Sequence, residues 1–403
     1  MQRTIQLLSL LGAAALLAPR LTAQFSFNVD NMPVQIHSFA TQGFLYSNDN
    51  NYLTMNTSQG SFAMTDAAVN IGMSITDKFH IGAQVYDSNV GELGKWHPTL
   101  DWAVADYKFK DWFGIRGGKV KTVMGLYNDT QDLPFLFTFA LLPQGMYPVD
   151  LRSSTIAHTG GDVYGGIPLK RLGSLSYTAY AGQRQDSLYG GYPYFLHNFG
   201  ITLNSYGGLI VGQDLRWNTP LKGVLVGVSH QDEFITGLGT ADLSVTQGGP
   251  TNIIDYWEKT KKNQINQFYG EYTVGNLTLD SEYRRSWRDV EIFDGAFEDT
   301  TDVRSWYVSG AYRLSKRFAF GSYYSRFSNN WVATVPGQVE AASQSSPDRH
   351  LYDKVATLRI DLTNYWNVKI EGHFMDGWGG NQYPDGFYQR DNPNGIAPKT
   401  NLL

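Results

Sequence analysis

Polar and apolar side chains alternate along several segments of this chain, most regularly between residues 366 and 374. The even positions there are apolar or small, whereas the odd positions carry Asn367, Lys369, Glu371 and His373. Successive side chains of a β-strand point to opposite faces of its sheet. Such a strand has one face that suits lipid and another, of amides, charges and an imidazole, that suits water.

The same parity places a larger set of charged side chains on the water-facing side. The set is Asp106, Lys108, Arg116, Arg284, Arg313, Arg359, Lys369 and Glu371. In a wide aqueous pore, opposed acidic and basic rows create a transverse field that favours polar, oriented solutes. The alternative for any single member is a solvated wall charge that has little influence on passage.

Signatures of enzyme chemistry are poor. The eight histidines are scattered without the spacing of zinc ligands, and the chain has no nucleophile elbow or phosphate-binding glycine loop. Ser153 or Ser154 near His158 could serve a hydrolase, but closeness in sequence is weak evidence for such a pair. The sequence predicts no enzyme activity, no metal site and no cofactor.

The segment 122–157 differs from other polar stretches because it is rich in large apolar residues. These are Leu133, Phe135, Leu136, Phe137, Phe139, Leu141, Leu142 and Tyr147. We expect this segment to fold inward onto a wall and narrow a channel, with Arg116, Asp129, Asp132, Asp150 and Arg152 at the constriction. The alternatives are a loop that caps the outside and one that packs on a neighbouring subunit.

These residues lie on or between about sixteen strand-like segments between residues 35 and 403. Their connections alternate between short and long. The short ones lie at 76–78, 110–112, 168–172, 218–222, 274–276, 314–317 and 363–365, and the long ones at 48–64, 88–98, 122–157, 185–205, 233–263, 289–302, 329–350 and 377–397. This alternation is typical of barrels with tight periplasmic turns and long outer loops.

We therefore predict an all-β fold, a 16-stranded antiparallel transmembrane β-barrel with short periplasmic turns and long extracellular loops. A soluble sandwich or propeller is the structural rival, but its connections would not be expected to alternate so regularly. Sixteen strands enclose a lumen wide enough for an aqueous channel.

The first 23 residues predict a cleaved signal peptide, with Arg3 followed by a mostly apolar run to Ala18 and by Leu21-Thr-Ala. A membrane anchor is the alternative, but the run is shorter than the roughly 20 apolar residues that span a bilayer. The chain has no cysteine, which suits an exported protein without disulfides. Removing residues 1–23 changes the formal charge from −5 to −7, so nucleic acid is not expected as a partner.

Three stretches resemble a family of Gram-negative outer-membrane porins. The main one is Gly117 to Gly165, with its elements Gly-Leu-Tyr-Asn and Leu-Leu-Pro-Gln; the others are Asp101-Trp-Ala followed by Tyr107, and Lys369-Ile-Glu-Gly-His-Phe-Met-Asp-Gly. The resemblance implies a 16-stranded, usually trimeric barrel in the outer membrane that passes small hydrophilic solutes and ions by passive diffusion, with the third loop folded into the pore.

Two features leave alternatives open. The chain stops at Lys399-Thr-Asn-Leu-Leu, where the family has a full closing strand, so we expect the native product to continue for about 5 to 10 residues, or residues 25–29 to help close the barrel. A substrate-selective channel, or a non-conducting barrel that acts as an adhesin or surface anchor, is the functional alternative. Acidic outer loops are expected to bind divalent cations that bridge lipopolysaccharide.

Overall fold

The structure is a computed structural model and describes residues 24–29, 32–335, 338–342, 346–379 and 397–403. The predicted signal peptide at 1–23 and most of the predicted loop at 377–397 lie outside the described residues. The described residues form one antiparallel sheet of 18 strands. The strands are β1 (Gln24–Val29), β2 (Met32–Leu45), β3 (Ser61–Ser74), β4 (Phe79–Val90), β5 (Thr99–Lys110), β6 (Phe113–Lys121), β7 (Ala157–Pro168), β8 (Ser174–Gln185), β9 (Ile201–Asn218), β10 (Val224–Asp242), β11 (Ile253–Val274), β12 (Leu277–Ile292), β13 (Phe297–Arg313), β14 (Phe318–Val335), β15 (Gln338–Ala342), β16 (His350–Asp361), β17 (Asn367–Asp376) and β18 (Lys399–Leu402).

Helices are short and confined to connections. They are α1 (Arg152–Thr155), α2 (Gly191–His197) and α3 (Ser244–Gln247), together with single 3-10 turns at Thr57–Gln59, Pro134–Leu136, Val149–Leu151, Lys170–Leu172 and Pro347–Arg349. Within the described ranges, no helix has the length and apolar character needed to cross a membrane.

Consecutive strands pair as antiparallel neighbours from β2 to β14 and from β16 to β18, and β14 pairs directly with β16. The backbone of Tyr46 exchanges hydrogen bonds of 2.7 and 2.8 Å with Leu403, which connects the end of the sheet to its beginning. Two of the 18 strands are short additions to a neighbouring strand: β1 pairs with β2, and β15 pairs with the end of β14. The other sixteen strands confirm the predicted 16-stranded barrel. The segment 25–29, which was expected to help close the barrel, lies in β1, and β1 pairs with Met32 to His37.

All seven predicted short connections are turns of two to five residues at one rim. Three predicted long loops are wrong in extent, because strands occupy most of them. The loop predicted at 233–263 is only 243–252, and the one predicted at 289–302 is the turn 293–296. In the loop predicted at 329–350, strand β14 continues to Val335 and β15 covers Gln338–Ala342. The strands within the segments 233–263 and 289–302 keep their backbone pairing, and Phe234 and Leu238 of the first segment remain exposed while Glu233 and Ile235 are buried.

The alternation of faces is confirmed in β17 and β16. The side chains of Ile370 and Phe374 are 52% and 59% exposed on the outside of the barrel, whereas Glu371 and His373 are buried on the inside. Each outward apolar residue is thus available to lipid, as a membrane barrel requires.

The predicted irregularity at Lys119 and Lys121 lies beside Gly118. Gly118 has a φ of +124°, and a Cβ atom there would lie 2.3 Å from the carbonyl oxygen of Ala103 on β5. Only glycine fits such a backbone at this distance. The pairing of β6 with β7 runs through Gly118 without a shift, and Lys121 ends the strand and donates to the carbonyl oxygen of Asp129 in the third loop at 3.1 Å.

Loops fill much of the barrel interior near the long-loop rim. Tyr52, Leu53 and Met55 of the first loop are almost completely buried and pack with Leu141 of the third loop and Met375 of β17. Apolar burial of this kind is the main favourable term that holds a loop in one position. The described loops therefore form a packed layer inside the wall.

Candidate channel constriction

The third loop, residues 122–156 in the structure, folds inward as predicted. Its first turn meets β10 and β12: the backbone N–H of Gly125 donates to Ser229 Oγ at 2.9 Å, and that of Leu126 donates to Glu282 Oε2 at 3.1 Å. The hydroxyl of Tyr147 donates to the other oxygen of Glu282 at 2.6 Å. One inward carboxylate thus holds two parts of the loop.

The middle of the third loop is bound to the opposite part of the wall. Arg359 of β16 donates to the carbonyl oxygens of Phe135 and Phe137 at 2.6 and 2.8 Å. Lys369 of β17 donates to the carbonyl oxygens of Pro134 and Phe139, both at 2.7 Å. Wall cations therefore satisfy four backbone acceptors of the loop.

Glu371, the next inward residue of β17, binds the same part of the loop as an acceptor, whereas Arg359 and Lys369 bind it as donors. Its two carboxylate oxygens accept hydrogen bonds from the backbone N–H groups of Ala140 and Leu141, each at 2.8 Å. Charge-assisted bonds to a carboxylate are about twice as strong as neutral ones. The three predicted lumen residues Arg359, Lys369 and Glu371 are thus loop anchors.

A third contact joins the end of the loop to β4 and β5. Arg152 donates two hydrogen bonds to the carboxylate of Asp101, at 2.9 and 2.7 Å, and its guanidinium lies 3.7 Å from the centre of the Tyr86 ring. Burial alone would lower the pKa of Arg152, but Tyr86 and Asp101 raise it above the ordinary value. Arg152 is therefore a fixed positive charge at the predicted constriction.

Of the predicted acidic residues of the third loop, Asp132 and Asp150 are buried and Asp129 is half-buried. Asp132 is buried and accepts hydrogen bonds from Lys121 Nζ at 2.8 Å and from Gln84 Nε2 at 3.0 Å. Asp150 is also buried, and one carboxylate oxygen of Asp129 is inaccessible to solvent.

Burial and Glu282 together fix the protonation of the loop phenol. Tyr147 is almost fully buried, and burial first, then the charge of Glu282, raise its pKa well above the ordinary value of 10.0. Its hydroxyl therefore stays protonated and remains a donor to Glu282 at neutral pH.

The other predicted residues lie elsewhere on the inner wall. Arg116 donates to Asp162 at 2.9 Å and lies 4.7 Å from the centre of the Tyr164 ring, whose hydroxyl donates to Asp106 at 2.6 Å. Further toward the short-turn rim, Lys108 pairs with Asp111 at 2.8 Å and Arg313 pairs with Asp361 at 2.8 Å. Of the two arginines predicted at the constriction, Arg116 therefore binds strand β7 of the wall, whereas Arg152 binds the end of the third loop to β5.

The fold is similar to those of solved outer-membrane proteins. OmpT of Vibrio cholerae, expressed in the outer membrane, superposes with a TM-score of 0.54 at 13% identity, covering 94% of this chain and 98% of that one. Its in-vitro folded form gives 0.53 at 12% identity, covering 94% and 97%. The outer-membrane channel DcaP of Acinetobacter baumannii gives 0.49 at 8% identity, covering 95% and 98%.

This chain has the fold of an outer-membrane β-barrel. The family resemblance inferred from the sequence is thereby confirmed at the level of the fold. No protein-family model and no curated protein matches the sequence.

Several inward residues of the barrel were missed by sequence reasoning. Arg184 of β8 donates to Asp186 at 2.8 Å and to Glu233 of β10 at 2.9 Å, and Arg288 of β12 lies 3.6 Å from Glu258 of β11. Glu233 and Glu258 fall inside the stretch predicted as a loop, which is why their parity was not followed. Continuing the alternation of β10 through Gln231, Glu233 and Ile235 would have found the first of them.

Proposed function

We propose that the protein is an outer-membrane porin, a water-filled channel for the passive diffusion of small hydrophilic solutes and ions. The observation that carries the proposal is the inward third loop, which charged residues of the inner wall hold at three places within a barrel whose outer face is apolar. A loop held by such hydrogen bonds and ion pairs keeps one position inside the barrel and narrows its lumen.

The polarity of the wall supports the same assignment. Polar and charged side chains line the interior of every wall region described above, and a sixteen-stranded barrel is wide enough to hold water. The solved proteins to which the fold is similar include outer-membrane proteins.

The proposal extends to location and partners. We place the protein in the Gram-negative outer membrane after export through a cleaved signal peptide, as a homotrimer surrounded by lipid and lipopolysaccharide. Its partners in transport are small hydrophilic solutes or ions, and it binds neither nucleic acid nor a cofactor. The trimer follows from the sequence resemblance.

We further propose that the protein has no enzymatic activity. The serine and histidine that were considered for a hydrolase are engaged separately. The Ser154 hydroxyl donates to Asp186 at 2.7 Å, whereas the His158 ring contacts the Thr122 hydroxyl at 3.0 Å. Neither contact activates a serine toward a substrate.

A non-conducting barrel that serves as an adhesin or surface anchor is the second candidate. The packed layer of Tyr52, Leu53 and Met55 with the third loop favours it, because such a layer also occludes a lumen. Liposome swelling separates the two candidates. Proteoliposomes diluted into isotonic arabinose should swell faster than empty liposomes, whereas those in isotonic raffinose should swell less. Equal swelling of filled and empty liposomes would favour the anchor.

A further inference from the structure

The inward arginines of the barrel differ in how their charge is balanced. Seven of them lie within 4.0 Å of a carboxylate: Arg116, Arg152, Arg184, Arg216, Arg288, Arg313 and Arg359. Arg284 of β12 forms no such ion pair with any residue that the structure describes. Its positive charge is thus available to something that the chain itself does not supply.

The hydrogen bonds of Arg284 lead to the same conclusion. Its Nε donates to Gln267 Oε1 at 2.9 Å and its Nη1 donates to the carbonyl oxygen of Met146 at 2.7 Å, so both partners are uncharged. Its Nη2 is buried and has no hydrogen-bond partner within the described part of the chain. A buried donor without an acceptor is costly, and native proteins rarely retain one without a reason.

Arg284 lines a cavity of about 200 Å³ inside the barrel. The cavity lies between the third loop, helix α2 and strands β8 to β12, and Arg288 and Tyr192 also line it. Arg288 is held by its neighbours, since its Nη2 lies 3.3 and 3.4 Å from the hydroxyls of Tyr192 and Tyr206 and 3.6 Å from Glu258. Two guanidinium groups therefore face one polar space, and that of Arg284 has a donor to spare.

The acidic residue of the cavity does not offer a matching site for a cation. Glu233 already accepts hydrogen bonds from Arg184 at 2.9 Å, from Asn263 at 2.6 Å and from Gln231 at 2.5 Å. Both of its carboxylate oxygens thus already accept hydrogen bonds from the protein, whereas Nη2 of Arg284 has no acceptor among the described residues. This asymmetry selects for a negatively charged solute.

We propose that this cavity is a binding site for a small organic carboxylate on its way through the channel. The site rests on the proposed function and adds a substrate class to it. The carboxylate accepts hydrogen bonds from Arg284 Nη2 and from Arg288, while the hydroxyls of Tyr192 and Tyr206 contact the rest of the solute. The volume restricts the solute to a few carbon atoms.

Saturation-transfer NMR on the detergent-solubilised full-length protein tests the site, with lactate as the probe and methyl lactate as its uncharged counterpart. We expect transfer to lactate and not to methyl lactate. Arg284→Gln should weaken lactate binding by about tenfold or more, because bonds to charged groups dominate such sites. Arg284→Lys should retain part of the binding.

Arg285→Gln is the matched control, because the neighbouring residue points to the outer face, where it binds Asp302 at 2.9 Å. It should bind lactate as the wild type does. Equal transfer to lactate and methyl lactate in the wild type, or unchanged lactate binding by folded Arg284→Gln, would overturn the proposal. If Arg284→Gln does not fold, the wild-type comparison of the two probes decides alone.

Conductance measurements keep this inference distinct from the proposed function. If the protein conducts but does not bind lactate, the carboxylate site is wrong and the channel stands. If the protein binds lactate but carries no current in a bilayer, the site stands and the channel is wrong.

Discussion

Arg152 on the third loop and Asp101 on β5 form a two-bond ion pair, with N to O distances of 2.9 and 2.7 Å. Both side chains are largely buried, at 14% and 3% exposed. Truncating one partner of such a pair typically costs about 3 to 5 kcal/mol, because it leaves the other charge uncompensated. This pair therefore fixes the end of the loop to the wall.

Arg152→Ala should release that end of the loop and change the channel. The lost positive charge and the uncovered Asp101 carboxylate should shift selectivity toward cations, measured as reversal potentials in a salt gradient. The double variant Arg152→Ala with Asp101→Ala should recover part of the lost stability. An unchanged reversal potential in folded Arg152→Ala would remove Arg152 from the constriction.

Glu371→Gln should loosen the middle of the third loop. The variant weakens the charge-assisted bonds to the N–H groups of Ala140 and Leu141, worth about 1.5 to 3 kcal/mol for a hydrogen bond to a charged group. Hydrogen exchange of residues 139–142 should become faster. Glu92→Gln, at an exposed ion pair with Lys95, is the control and should leave that exchange unaltered.

Gly118→Ala should impair folding severely. Alanine disfavours a φ of +124°, and its Cβ would meet the Ala103 carbonyl oxygen at 2.3 Å. The yield of folded barrel can be followed by heat-modifiable mobility in detergent gels. Gly372→Ala on β17 provides the comparison, because a Cβ there has no described atom within 4 Å. Equal yields of the two variants would contradict the assigned role of Gly118.

The raised pKa of Tyr147 predicts a loss of stability in alkali. The folded state holds the phenol proton more tightly than the unfolded state, so this contribution is complete below the unfolded pKa of 10.0 and declines as the pH rises above it. Thermal unfolding between pH 8 and 11 should show the decline, and Tyr147→Phe should reduce it. An identical pH profile for both proteins would show that Tyr147 does not contribute.

The strand faces and the inward third loop could be predicted because they depend on local patterns. The alternation in β16 and β17 determines which residues face inward, and the apolar content of 133–147 excludes a solvated loop. The partners of the loop could not be predicted in this way. The bonds from Glu371 to Ala140 and Leu141 join positions about 230 residues apart in sequence, and their formation depends on barrel width and loop path.

The extent of the outer strands was the main error, also for a physical reason. Hydrophobic alternation reports where lipid contacts a strand, and the polar residues His230 and Asp232 interrupt it within β10. Backbone pairing continues beyond them, as between Thr240 and Asp255. The inward position of Glu258 and the cavity near Arg284 depend on this pairing and were not found from the sequence.

Single-channel recording in a planar lipid bilayer shows whether the folded barrel conducts ions. The purified, folded protein should produce discrete current steps whose size is proportional to voltage, and Arg152→Ala should alter their ion selectivity. A folded protein that inserts into the bilayer and carries no current would contradict the account of this barrel as a channel.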